Sequence, residues 1–106
     1  MIFEWDATKA QSNLRKHGVD FNAAIRIFEG ATLEREDTRR EYQEERMLAV
    51  GQVEDQCFFV AYVWRGEVRR IISARGANRH EREAYRQAFP PREGQDRLDT
   101  PSESDR

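Results

Sequence analysis

Two histidines and a cluster of arginines are the residues of this sequence best suited to chemistry. Histidine exchanges protons near neutral pH, and the sequence contains only His17 and His80. Residues 65–86 hold seven arginines against three glutamates, although the whole chain has a formal charge of −2. Arginine binds phosphate through two parallel hydrogen bonds. The sequence therefore predicts a local binding site for a polyanion within a slightly acidic protein.

Metal and disulfide chemistry have no support in the sequence. Carboxylates are not clustered and the two histidines are not at ligand spacing, so we expect no metal or other cofactor. The single cysteine, Cys57, has no partner for a disulfide. No apolar segment approaches the roughly 18 residues of a membrane helix, and the N-terminus lacks the pattern of a secretion signal. We therefore expect a cytoplasmic protein.

The apolar periodicity predicts one α+β domain over residues 1–89, followed by a disordered polar tail over residues 90–106. Residues 57–64 are apolar on both faces, which indicates a central strand. The predicted order is β-α-α-β-β-β-β-α, with two N-terminal helices on one face of a twisted antiparallel sheet and one C-terminal helix. The predicted strands are 2–5, 31–37, 45–53, 57–64 and 68–74, and the predicted helices are 7–17, 21–29 and 78–89.

The strand that begins at residue 68 determines which charges the sheet presents. Strict alternation would place Arg69, Ser73 and Arg75 on one face and Arg70 on the other. Whichever row faces the helices, the other presents arginine, and if the exposed row is that of Arg69, Ser73 and Arg75, it forms a cationic surface. The third helix would border it with Arg79, His80, Arg82 and Arg86.

Several motifs resemble those of the BrnT toxins. They are FEWD at residues 3–6, Lys9, NLRKHGV at 13–19, Phe21 and Ala24, Glu45-Arg46 with Gly51, and RIISAR at 70–75 followed by Ala77, Arg79, Glu81 and Tyr85. BrnT proteins are ribonuclease toxins of bacterial type II toxin-antitoxin modules, with a fold similar to RelE. The resemblance implies metal-independent RNA cleavage that inhibits translation.

Such cleavage needs a base for the 2′-hydroxyl, cations for the phosphate and an acid for the leaving 5′-oxygen. On the resemblance, we expect His17 to act as acid or base. Lys16 and Arg75 would hold the scissile phosphate. The other expected site residues are Arg46 and Tyr85, which would position RNA or share proton transfer, and Arg69, Arg70, Arg79 and Arg82, which would bind RNA.

The resemblance also implies the partners. They are RNA, free or on the ribosome, and a BrnA antitoxin with a ribbon-helix-helix DNA-binding domain. The implied assembly is a 2:2 heterotetramer that contacts DNA only through the antitoxin.

Alternative interpretations remain open at this point. Lys16 and His17 fall in the last turn of a predicted helix, where a cation is stabilised by about 0.3–1 kcal/mol. The basic face would equally serve a non-catalytic RNA-binding or ribosome-binding module, or receive an acidic antitoxin segment. The structural alternatives for single residues are ion pairs of Arg75 with Glu81 or Glu83, of Arg46 with Glu45 and of Arg79 with Glu83, and core packing of Tyr85.

Overall fold

The computed structural model describes residues 1–39 and 44–91, which form an α+β fold as predicted. From residue 92 onward, the predicted tail lies outside the described residues. The strands are β1 (Ile2–Glu4), β2 (Thr32–Glu36), β3 (Arg46–Val53), β4 (Gln56–Arg65) and β5 (Val68–Gly76); the helices are α1 (Ala7–His17), α2 (Phe21–Ala24) and α3 (Arg79–Ala88), with a 3₁₀ helix over Ile25–Glu29.

The five strands form one mixed sheet in the order β1-β5-β4-β3-β2. Strands β2 to β5 pair antiparallel in chain order. Strand β1 instead pairs parallel with β5, from Ile2 opposite Val68 to Glu4 opposite Arg70. The prediction of a fully antiparallel sheet is therefore wrong. A three-residue strand has too short a pattern to reveal its direction.

Side-chain caps set the limits of the N-terminal helices. The Asp6 carboxylate accepts a hydrogen bond from the Lys9 amide at 3.0 Å and begins α1. Gly18 ends α1 in the left-handed region at φ 71°. Asp20 caps α2 in the same way as Asp6 caps α1, but the α-helix extends only to Ala24. The predicted second helix is thus an α-helical turn followed by a 3₁₀ segment.

The main core lies between these helices and one face of the sheet, which we call the helix-covered face. Phe21, Ala24 and Ile27 are buried there against Val60 and Tyr62 of β4. Helix α3 lies on the opposite face, which we call the open face, and contacts β2 and β3. None of its residues is buried. Among residues 1–39 and 44–91, no helix is long and apolar enough to span a membrane.

A bulge in β5 changes which side chains share a face. Ala61 pairs with Ser73, whereas the next residue of β4, Tyr62, pairs with Ile71, so Ile72 is an extra residue. Arg69 consequently lies on the helix-covered face, and Ser73 lies on the open face. The prediction that Arg69 shares a row with Ser73 and Arg75 is wrong, because the bulge interrupts the alternation on which it depended.

Candidate active site

Helix α1 is fixed to the sheet by a buried asparagine. Strand β1 pairs only with residues 68–70 of β5, so the rest of that edge lacks a strand neighbour among the described residues. The Asn13 side chain takes this place at Ala74, donating to its carbonyl oxygen at 2.8 Å and accepting from its amide at 3.1 Å. Asn13 also donates to the Val19 carbonyl oxygen at 3.1 Å. This one amide therefore sets the position of α1 along β5.

A cleft with a volume of ≈ 200 Å³ lies between α1 and this edge of β5, and we call it the α1–β5 cleft. Lys16 and His17 are both exposed there, and neither side chain makes a hydrogen bond or ion pair with the residues that the structure describes. Cationic side chains beside hydroxyl groups can bind an anion such as phosphate. The lining residues are Lys9, Ser12, Asn13, Lys16, His17, Ile72 and Ser73.

Arg75 lies on the open face, two residues beyond Ser73, and is held by its neighbours. Its guanidinium lies 4.0 Å from the centre of the Phe59 ring. It donates to both carboxylate oxygens of Glu81, at 2.9 and 2.8 Å, and to the Gly76 carbonyl oxygen at 3.0 Å. The expected alternative, an ion pair between Arg75 and Glu81, is confirmed.

Glu81 also belongs to the N-terminal cap of α3. Its carboxylate accepts from the Asn78 amide at 2.9 Å, and its own amide donates to the Asn78 side chain at 2.9 Å. Burial alone would raise the pKa of Glu81, but the hydrogen bonds from Arg75 and the Asn78 backbone outweigh it and lower the pKa. Glu81 is therefore ionised at neutral pH and joins β5 to α3.

The arginines that were predicted to bind RNA also have partners. Arg70 lies on the open face and pairs with Glu4 at 2.9 Å. On α3, Arg79 pairs with Glu83 at 3.2 Å, as the structural alternative expected. Arg82 donates to the Ala77 carbonyl oxygen at 2.7 Å. Much of the arginine cluster is therefore engaged within the fold.

Arg69 is engaged by aromatic rings on the helix-covered face. Its guanidinium lies 4.2 Å from the Phe28 ring centre, 4.4 Å from that of Trp64 and 5.2 Å from that of Tyr62. The Tyr62 hydroxyl donates to the Glu34 carboxylate. Burial raises the pKa of the Tyr62 hydroxyl most, and the hydrogen bond with Glu34 raises it further. Arg69 thus packs against the core, away from Ser73 and Arg75.

Tyr85 and Arg46 occupy other parts of the open face. The Tyr85 hydroxyl donates to the Ala31 carbonyl oxygen at 2.9 Å, which ties α3 to the start of β2. Burial raises the pKa of this hydroxyl. Arg46 is half-buried in β3, opposite Val63. Tyr85 and Arg82 line a different cleft, with Gln52 and Cys57, from the one that contains Lys16 and His17.

Lys9 and Asn13 belong to the site but were not predicted as site residues. Together with Lys16 they follow the i, i+4, i+7 spacing that places side chains on one face of a helix. This spacing was the available sequence signal. Among residues 1–39 and 44–91, no group of three His, Cys, Asp or Glu side chains could hold a metal ion.

Comparison with known families shows similarity to a family of toxins. Residues 5–81 match the family model described as "Ribonuclease toxin, BrnT, of type II toxin-antitoxin system". The match extends from the start of α1 to the first turn of α3, so it includes the α1–β5 cleft, Arg75 and Glu81. No individually curated protein matches the chain at a significant level.

Proposed function

Because the chain belongs to the BrnT family of ribonuclease toxins of type II toxin-antitoxin systems, we propose that it cleaves RNA at the α1–β5 cleft. One observation carries this assignment. Lys16 and His17 are exposed and unpaired within the described part of the chain, and they line the same cleft as Ser73 of β5. Asn13 fixes that arrangement through its three hydrogen bonds.

The proposed reaction is a metal-independent transesterification. A general base removes the proton of the 2′-hydroxyl, and O2′ forms a bond to the adjacent phosphorus. The bond between phosphorus and O5′ breaks, and a general acid protonates O5′. The products are a 2′,3′-cyclic phosphate and a 5′-hydroxyl. His17 is the proposed proton-transfer residue, and Lys9 and Lys16 neutralise the charge that develops on the phosphate.

Arg75 is the proposed contact for a phosphate beside the scissile one. An arginine has five N–H donors, and Arg75 uses three of them on Glu81 and Gly76, so two remain for a ligand. Its position two residues beyond Ser73 supports this role. Glu81 keeps the guanidinium in a fixed orientation on Phe59.

The remaining residues receive positioning roles in the proposal. Arg46 and Arg70 lie on the open face, and Arg79 and Arg82 on α3, where they would contact phosphates that flank the cleavage site. Tyr85 acts through its bond to Ala31, by holding α3. Arg69 is assigned to packing instead of RNA binding, because its guanidinium lies among aromatic rings.

The proposed biological context follows from the family. An antitoxin and RNA are the partners of a type II ribonuclease toxin. We propose that the fold resembles RelE, that RNA cleavage inhibits translation in the cytoplasm, and that the antitoxin is of the BrnA type. Its ribbon-helix-helix dimer would join two toxin chains and make all contacts with DNA.

The test is cleavage of single-stranded RNA by the purified chain in excess EDTA, with analysis of the product ends. We expect cleavage that leaves 2′,3′-cyclic phosphate ends, and we expect added antitoxin to abolish this cleavage. Cleavage that requires a divalent cation would overturn the metal-independent mechanism. Salt-dependent RNA binding without cleavage would favour the non-catalytic RNA-binding or ribosome-binding module instead.

A further inference from the structure

An apolar groove lies on the open face between the sheet and the first half of α3, and the proposed reaction does not use it. Its volume is ≈ 360 Å³. Five apolar and four polar residues line it, a mixture typical of a site for a small organic ring, although the Glu34 carboxylate itself lies on the helix-covered face, where it accepts from Tyr62. The lining residues are Leu33, Leu48, Val50, Phe59 and Ala84, with Glu34, Arg35, His80 and Glu81.

The groove exists because α3 is attached to the sheet by polar contacts and not by buried side chains. No residue of α3 is buried. The first turn is held by the two bonds between Glu81 and Arg75, and the last turn by the bond from Tyr85 to Ala31. Ala84, between these two attachments, is too short to fill the space above the strands. The groove is thus preformed, with both ends of its helical wall fixed.

The basic residues around the groove indicate the class of ligand. Arg35 and His80 line it, and neither side chain makes a hydrogen bond or ion pair within residues 1–39 and 44–91, although the Arg35 charge acts on the Glu81 carboxylate. Phe59 forms part of the floor and also supports Arg75, the proposed phosphate contact. A flat apolar ring would pack against the apolar floor, and anionic groups joined to that ring would contact Arg35 and His80. Single-stranded RNA has this composition, because each base is flanked by phosphates.

We infer that this groove binds an unstacked base of the RNA, next to the nucleotide whose phosphate contacts Arg75. The base lies against Leu48, Val50 and Phe59. Arg35 and His80 contact its polar edge or the flanking phosphates. The inference rests on the proposed function in one respect, which is that RNA is the ligand.

The test measures binding without cleavage, so that it is independent of the catalytic assignment. The probes are a short single-stranded 2′-O-methyl oligonucleotide and the same backbone in which the central positions are abasic. The 2′-O-methyl group removes the nucleophile and prevents cleavage. The wild-type chain is expected to bind the base-containing probe about tenfold more tightly than the abasic one, as one stacked base contributes.

Two matched variants test whether the preference for the base-containing probe arises in this groove. Ala84→Leu fills the groove and is expected to remove the tenfold preference, whereas Ala88→Leu, the same change one turn later on α3, is expected to keep it. Leucine suits an exposed helical position, so circular dichroism and melting temperature are expected to match the wild type in both variants.

The outcomes separate this inference from the proposed function. Equal affinity for the two probes, or a preference that survives Ala84→Leu, overturns the base site. An unchanged preference with weakened antitoxin binding in Ala84→Leu also overturns it and assigns the groove to the antitoxin. A preference that Ala84→Leu abolishes supports the base site even if the chain cleaves no RNA, in which case only the proposed function fails.

Discussion

The cations of the site differ most in what their side chains already contact. Arg75 makes a bidentate pair with Glu81, whereas Lys16 and His17 have no such partner among the described residues. Arg75 keeps two N–H donors for a ligand, but Glu81 already balances its charge, so it gains less from binding RNA than an unpaired group does. The strongest contributions to catalysis are therefore expected from α1.

The ion pair between Arg75 and Glu81 should make the stability of the fold depend on pH. The pKa of Glu81 is lowered in the folded chain. The ionised carboxylate therefore contributes fully to the free energy of unfolding above the ordinary pKa of about 4.5, and this contribution is lost as the pH falls through the pKa of the folded state. Glu81→Gln is expected to reduce the free energy of unfolding by about 1 kcal/mol at pH 7, and by less at pH 3, which lies below the ordinary pKa of a glutamate. Urea unfolding at the two pH values measures this difference.

Glu83→Gln is the matched control for that experiment. Its partner Arg79 is largely exposed, and exposed pairs contribute little, so the free energy of unfolding should stay within about 0.5 kcal/mol of wild type. Equal effects of the two variants at every pH would contradict the role assigned to Glu81.

At the scale of elements, the contact between α1 and β5 is the feature on which the site depends. Asn13→Ala leaves the amide and carbonyl of Ala74 and the carbonyl of Val19 without these partners. The free energy of unfolding is expected to fall by roughly 2–4 kcal/mol, because buried polar groups lose their hydrogen bonds. Chemical denaturation measures this, with the exposed neighbour Gln11→Ala as a control that should change little.

The variant Asn13→Asp tests the role of Asn13 in positioning α1 separately from its role in stabilising the fold. The carboxylate can still accept from the Ala74 amide but cannot donate to either carbonyl oxygen, so α1 is expected to shift relative to β5. Under conditions where this variant is folded, RNA cleavage should fall while the retained Lys16 and His17 side chains preserve much of the RNA affinity. Full cleavage activity in the folded variant would show that the Asn13 contact does not set the site.

A second prediction for the elements concerns the 3₁₀ helix. A Cβ atom at Gly51 of β3 would lie 2.6 Å from Ile27 Cβ, so the two backbones approach closely only because residue 51 is glycine. Gly51→Ala is expected to destabilise the fold by about 1–3 kcal/mol. Gly30→Ala is the control, since nothing lies within 4 Å of its Cβ position. Similar melting temperatures for the two variants would contradict the close approach.

The sequence predicted the elements better than their arrangement. The caps Asp6 and Asp20 and the apolar strand β4 are local signals, so the corresponding elements begin within one residue of where they were predicted. The bulge at Ile72 and the parallel pairing of β1 depend on contacts between distant segments, and the local pattern carried no sign of either. For the same reason Arg69 was placed on the wrong face.

The candidate site was predictable in part. Lys16 and His17 were identified from motif resemblance, and the structure places them together in one cleft. The pairing of Arg75 was foreseen only as an alternative to a functional role. The groove beneath α3 could not be predicted, because it depends on how far the helix lies from the sheet.

At the scale of the whole molecule, the proposed RNA-binding surface is local, within a chain of net charge −2. RNA binding should therefore weaken as the salt concentration rises. The logarithm of the binding constant is expected to fall by about 0.7 per phosphate contacted for each tenfold rise in salt. Affinity for an uncleavable oligonucleotide, measured from 50 to 300 mM salt, gives this slope. Lys16→Ala is expected to reduce the slope by about 0.7. An unchanged slope would show that Lys16 contacts no phosphate.

The most direct test of the account compares RNA cleavage in EDTA by the wild type and three single variants on α1. Lys16→Ala and His17→Ala are expected to lower the rate by at least tenfold and about 100-fold, respectively. Arg15→Ala, the matched control, removes a neighbouring charge outside the α1–β5 cleft and is expected to leave the rate unchanged. Cleavage at the wild-type rate by folded Lys16→Ala and His17→Ala would contradict the central claim that this cleft performs the reaction.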